Sequence, residues 1–394
     1  MEFPLLTPEL EEEFERRLSR VRMAMLENET EALLIGSTVN ILYMTGGIYR
    51  GYIYIPQTGA PLFFMIPPAE ATGDNEVNIR KPEQIPELLA ERGLDRACRI
   101  GLEYDDLYYS EVERLKKLFP GAGFSNGSII MRQARLVKTE YELNKMEEDG
   151  VRQSAVYSRI SKVYREGMSD VELQSEIERL LRQEGCLGYL RTAGSRMEIN
   201  MGSLLAGPNA DEPSPYDFSM GGAGVDPSLP VGASGVILKP GMAVMVDMNG
   251  GFNGYQTDMT RCWTIGEPSD KAQKAYDCSM AILHELESLG RPGVEVGELY
   301  RRAVAIADEW KLSDYFMGHR HKVSFIGHGV GIELNEGPVV MGRNKSLLEE
   351  NMTIALEPKF VLPEIGALGC ENTYVVKSDG LKNLTTYNET LKQL

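Results

Sequence analysis

The sequence predicts an α+β fold in two parts, a smaller α/β domain over residues 1–136 and a larger, internally duplicated domain over 137–394. Three observations carry this expectation. The N-terminal part alternates short apolar runs with turn signals. The C-terminal part holds two glycine-containing hairpin patterns, each with a pair of acids, and the order helix, helix, acid hairpin occurs twice. At 394 residues the chain also exceeds the length at which a single core usually stops growing.

Taken in order, a helix covers Pro8–Glu27, and apolar strand-like runs follow at 32–35, 51–55, 61–66 and 99–102, with helical stretches at 85–92 and 110–118. Residues 67–86, rich in Pro, Glu, Asp and Asn, read as a loop. Past a boundary at 135–139, Thr139-Glu140-Tyr141-Glu142 has the spacing of a capping box opening a helix that runs to about Tyr164. Ser169-Asp170-Val171-Glu172 repeats that signal for a helix ending near Glu184. The stretch 189–230 is loop-like and either wraps a site or is surface. Helices at 271–288 and 296–310 precede the second hairpin.

The duplication is visible in register. Gly167–Leu173 lines up with Gly293–Leu299, and Gly241–Asp247 with Asn351–Glu357. Folded about Phe252 and Asn253, the first hairpin sets Asp247 opposite Asp258; directly opposed like charges are destabilising unless a cation lies between them. The second sets Glu357 near Glu371. Between them lies Gly327-His328-Gly329-Val330-Gly331. Four carboxylates and one imidazole suit a pair of ions such as manganese, iron, cobalt or zinc.

A formal charge of −17 argues against nucleic acid or an anionic membrane as partner, since both reward basic patches. Five cysteines without CxxC spacing suit reduced thiols and a cytoplasmic location, and Cys262 and Cys370 read as packing residues. The N-terminal residues have neither the basic start nor the apolar core of a signal peptide. No segment approaches the ~20 apolar residues that span a bilayer.

These motifs resemble the creatinase, prolidase and aminopeptidase P family of pita-bread metallopeptidases. Asp247 with Gly254-Tyr255-Gln256-Thr257-Asp258-Met259-Thr260-Arg261 is similar to its first ligand motif, Gly327–Gly331 to its histidine motif, Glu357-Pro358 to its fourth ligand and Glu371 to its fifth. Asn40-Ile41-Leu42-Tyr43-Met44-Thr45-Gly46 resembles the signature of its smaller domain, which is of the creatinase N-terminal type. The resemblance implies two divalent ions, manganese first and cobalt, zinc or iron as alternatives. Asp247 would hold one ion and His328 the other, with Asp258 and Glu371 bridging. Glu357 would bind the second and handle the proton of a hydroxide shared by ions ~4 Å apart. It further implies a homodimer and Xaa-Pro aminopeptidase or dipeptidase activity.

The chain departs from the family where substrate is held. After Gly207-Pro208-Asn209-Ala210-Asp211-Glu212-Pro213 the family has histidine and this chain has Ser214; further histidine positions are taken by Ser324 and Asn335, and an arginine position by Gly369. A well-placed transition-state donor is worth ~3 kcal/mol, so a small non-peptide substrate for a C–N hydrolase or lyase is the alternative, with a silent binding protein third. Asn335, Ser214, His321 and Tyr216 are the candidate substrate residues, with His319 and Asp217 as further candidates.

Overall fold

The structure, a computed structural model, describes residues 8–394 apart from 95, 195, 196 and 217, so that Asp217 lies outside the described residues. The chain forms two compact units, one ending at Arg135 and the other spanning Leu136–Leu394.

The first unit runs α1 (Pro8–Glu27), β1 (Ala32–Ile35), α2 (Thr38–Thr45), β2 (Gly51–Pro56), β3 (Leu62–Met65), β4 (Glu76–Asn78), α3 (Ile85–Glu91), β5 (Arg99–Leu102), α4 (Tyr109–Lys116), β6 (Gly123–Asn126) and α5 (Gly127–Leu136). Its sheet has the order β4-β3-β2-β1-β5-β6, with β1 antiparallel to β2 and parallel to β5. The region 67–86 is not a plain loop: it contains β4 and a 3-10 turn at Pro82–Gln84. Its three residues, Glu76-Val77-Asn78, are too few to show a period and hide that strand, which is held by pairing with β3. The Asn40 signature is α2. Its N-cap Ser37 and Asn40 both donate to the buried Glu103 carboxylate at 2.6 Å, and Gly46 closes the helix at φ 71°.

The second unit contains α6 (Glu140–Tyr157), α7 (Ile160–Val163), α8 (Asp170–Gln183), β7 (Gly202–Ala206), β8 (Ala243–Gly250), β9 (Thr257–Thr264), α9 (Asp270–Leu289) and α10 (Val296–Glu309). It continues with β10 (Gly327–Gly329), β11 (Thr353–Leu356), β12 (Lys359–Leu362), β13 (Gly366–Gly369), β14 (Asn372–Lys377), β15 (Gly380–Asn383) and β16 (Lys392–Gln393). Both capping boxes form: Thr139 accepts from Glu142 N and Ser169 from Glu172 N. The loop expected over 189–230 carries β7 and a 3-10 turn at Gly207–Asp211.

Duplication appears as two antiparallel three-strand frames, β7-β8-β9 and β10-β11-β14. Their cores are continuous apolar layers, one including Trp263 and Met248 and the other Phe360 and Tyr374. At the tip of the first hairpin, α6 supplies Asp149, which accepts from Phe252 N at 3.0 Å. Burial pushes the Asp149 carboxyl up to about 7, against the pull of that bond and of Arg152.

Candidate metal centre

The β8–β9 register corrects one expectation. Asp247 faces Thr260 and Asp258 faces Asn249, so the turn is centred one residue later and the two acids are diagonal neighbours on one face. In the other frame Leu356 pairs with Asn372 and Lys359 with Gly369, which leaves Glu357 and Glu371 facing each other in the break between the two ladders. His328 sits on β10 opposite Ala355. Its counterpart in the first frame, through the match of Met245 to Ala355, is the apolar Leu205, so only one copy provides an imidazole.

The five residues converge. Asp258 Oδ2 lies 3.7 Å and Glu357 Oε1 4.0 Å from His328 Nε2. Asp258, His328 and Glu371 each offer a ligand atom, all within 4.8 Å of one another, and so do Asp247, Glu357 and Glu371. Glu371 belongs to both clusters.

A residue that the motifs did not flag stands in the second cluster. Lys359 is fully buried, and its Nζ lies 2.8 Å from Asp247 Oδ2, 2.8 Å from Glu357 Oε2 and 3.0 Å from Glu371 Oε2. It follows Glu357 by two positions at the start of a strand, so both side chains face the same way. That alternation was the available signal. Ser219 was also missed: its hydroxyl donates to Glu357 Oε2, although it comes from an irregular loop with no periodicity to read. Thr260 donates to Glu371 Oε2 at 2.6 Å.

Burial raises Asp258 well above the usual carboxylate range, with Glu371 and Asp247 adding repulsion. Burial also raises Glu371, Lys359 pulling it the other way. For Lys359 itself burial works to lower the ammonium, but its three carboxylate neighbours outweigh this and hold it above the ordinary lysine range. The donors therefore fit a divalent ion at one position. Glu371 Oε1 is buried without a hydrogen-bond partner among the described residues, and Glu371 clusters with His328 and Asp258. At the other position an ammonium already contacts each of the three acids.

The clusters open on a cavity of about 770 Å³ whose polar lining includes Asp247, Asn249, Asp258, His328 and Glu357. Leu190, Ile199, Phe218, Phe325 and Val339 give it apolar walls, and His321, Lys322 and Arg343 add basic groups. Of the candidate substrate residues, His321 and Asn335 line this cavity, as does Ser324. The Asn335 amide is already engaged: Oδ1 accepts from Ala193 N at 2.7 Å and Nδ2 donates to Ala193 O at 3.2 Å. Ser214 borders a separate, smaller hollow, because its loop turns it against Gly221. Tyr216 also leaves the cavity lining, its hydroxyl meeting Glu198 at 3.1 Å. His319 pairs with Asp211 at 2.9 Å. Cys262 and Cys370 lie in the core, where burial pushes their thiols up to about 12 and about 11.

One further residue frames the centre. Arg261, buried beside Thr260, donates to the carbonyls of Thr260 and Glu371 at 2.8 and 2.7 Å. It also donates to Thr385 O at 3.1 Å, Tyr387 O at 2.7 Å, Asn388 O at 3.2 Å and Asn372 Oδ1 at 2.8 Å.

Residues 144–378 match the model of metallopeptidase family M24, and residues 17–137 that of the creatinase/prolidase N-terminal domain. The chain belongs to metallopeptidase family M24. Among M24 relatives, an Xaa-Pro dipeptidase of Pyrococcus horikoshii is 26% identical over 376 residues, covering 94% of this chain and 96% of its own. The solved Xaa-Pro dipeptidase of Bacillus anthracis superposes with a TM-score of 0.80 at 23% identity, over 97% of this chain and 100% of that one. An X-Pro aminopeptidase of Thermotoga maritima gives 0.77 at 20% identity, over 94% and 100%. This M24 chain is thus a metallopeptidase-type hydrolase with a pita-bread catalytic domain behind a creatinase-type N-terminal domain.

Proposed function

We propose that this protein hydrolyses the bond before proline in dipeptides or short peptides, acting as an Xaa-Pro dipeptidase or aminopeptidase. The observation that carries the reading is Glu357 at the cavity, with Oε1 toward His328 and Oε2 held by Ser219 and Lys359. A carboxylate fixed in that way is placed to take a proton from water and return it to the departing nitrogen. A divalent ion, manganese first and cobalt, zinc or iron as alternatives, held by Asp258, His328 and Glu371 would acidify that water and polarise the scissile carbonyl. The apolar walls suit a proline ring, and His321, Lys322 and Arg343 suit a peptide carboxylate. The resemblance to family M24 supports a homodimer. A cytoplasmic location suits five free cysteines.

Asn335, spent on Ala193, and Ser214, directed to another hollow, favour a second reading: a small amidine or guanidino substrate that needs fewer peptide contacts. Manganese-loaded protein assayed on Xaa-Pro dipeptides, tripeptides and a panel of such amidines separates the two. Dipeptide cleavage is expected, with kcat lower by ~10²–10⁴-fold in Glu357→Gln. Metal-bound protein that cleaves no peptide of the panel would overturn the first reading.

A further inference from the structure

We propose that this centre takes one divalent ion per chain, at Asp258, His328 and Glu371, and that the Lys359 ammonium stands permanently in the second cation position between Asp247, Glu357 and Glu371. The inference rests on the metal-site reading above, but not on which substrate is cut.

Lys359 meets one oxygen of each acid in its cluster at 2.8–3.0 Å, close to hydrogen-bond optimum, and those are oxygens that a second ion would need. An ammonium donates three hydrogen bonds and accepts none, so three carboxylate oxygens use all of its protons. The backbone fixes the placement: Lys359 O accepts from Met317 N at 2.9 Å, and Lys359 pairs with Gly369 across the β12–β13 ladder. Gly369 also makes room for the stem. A Cβ there would lie 2.9 Å from Lys359 Cα and 3.0 Å from Lys359 Cγ, closer than packed carbon atoms tolerate. The side chain is wholly buried, so withdrawing the ammonium to water would require opening the strand pair that holds it.

The other position differs. Thr260 and Lys359 occupy Glu371 Oε2, whereas Oε1 has no partner among the described residues, and Glu371 offers a ligand atom within 4.8 Å of those of Asp258 and His328. Charge points the same way. Four carboxylates against one ammonium leave three negative charges, which one divalent ion reduces to one; a second divalent ion would make the centre positive and set an ion against the ammonium over shared oxygens.

The test is metal content, read without substrate. Wild-type protein and Lys359→Ala are saturated with Mn²⁺, freed of excess and measured by elemental mass spectrometry and electron paramagnetic resonance. We expect one manganese per chain and an uncoupled signal for the wild type, and two per chain with an exchange-coupled signal for the variant. Two ions or a coupled signal in the wild type, no bound manganese at all, or a folded variant that stays at one ion would each overturn the proposal. If the variant does not fold, the wild-type stoichiometry and spectrum still decide. Wild type that binds two ions and cleaves Xaa-Pro peptides overturns this inference alone, while one ion without cleavage overturns only the substrate reading.

Discussion

Glu371 supports both halves of the centre, and its two oxygens are used differently. Oε2 is fixed by Thr260 and Lys359, which leaves Oε1 without a hydrogen-bond partner among the described residues. Residues that orient a ligand in this way are typically worth 10–100-fold in metal affinity. Thr260→Val is therefore expected to weaken Mn²⁺ binding by ~10–100-fold, measured by metal titration, with unchanged stoichiometry. Asp247, Asp258, His328, Glu357 and Glu371 stand out in the sequence through their joint spacing, the symmetry of the two hairpins and their order along the chain. Lys359 does not, because a lysine in an apolar strand reads as an ordinary edge residue until its neighbours are known. Ser219, on an irregular loop, meets Glu357 across 138 positions of chain, a contact that no local pattern encodes.

At the scale of elements, the two copies share order but not detail. Ser169 caps α8 through its side chain, whereas the corresponding Glu295 makes no side-chain cap at α10. Ser169→Ala should therefore cost ~1 kcal/mol in urea unfolding, and Glu295→Ala only a few tenths. The tip of the first hairpin gives a pH signature. Asp149 titrates at about 7 in the folded chain against roughly 3.9 when unfolded, so the native state keeps a proton that the unfolded state gives up. Its contribution to stability thus falls as pH rises through about 4 to 7 and is level above that. Asp149→Asn should remove this slope, and its melting temperature should gain on the wild type between pH 4.5 and 8, by the equivalent of a few kcal/mol at most. Long helices and the two capping boxes were readable because periodicity and caps are local. The three-residue β4 and the short β7 were not, since pairing with neighbouring strands decides them.

For the whole molecule, the two-part architecture was readable from composition and repetition, and the duplicated frames account for the placing of acids far apart in sequence. Gathering four carboxylates, three of them buried, around one ammonium opposes folding of the metal-free chain, so ion binding should stabilise it. At a Mn²⁺ concentration 100 times Kd the gain is ~2.7 kcal/mol, which for a unit of this size is a rise of ~5–10 °C in Tm. Calorimetry of metal-free and loaded protein would check this; equal melting temperatures would contradict it. Among the described residues no helix is long and apolar enough to cross a membrane.

Arg261 ties the carbonyls of Thr385, Tyr387 and Asn388 to those of Thr260 and Glu371. Residues 385–388 thereby act as a clamp on the residue that both clusters share. A protease that trims the chain back to Leu384 removes nothing from the cavity, yet it strips three acceptors from a buried guanidinium. Loss of retained manganese before any loss of helix is the expected mark of such clipping, readable by elemental analysis beside circular dichroism.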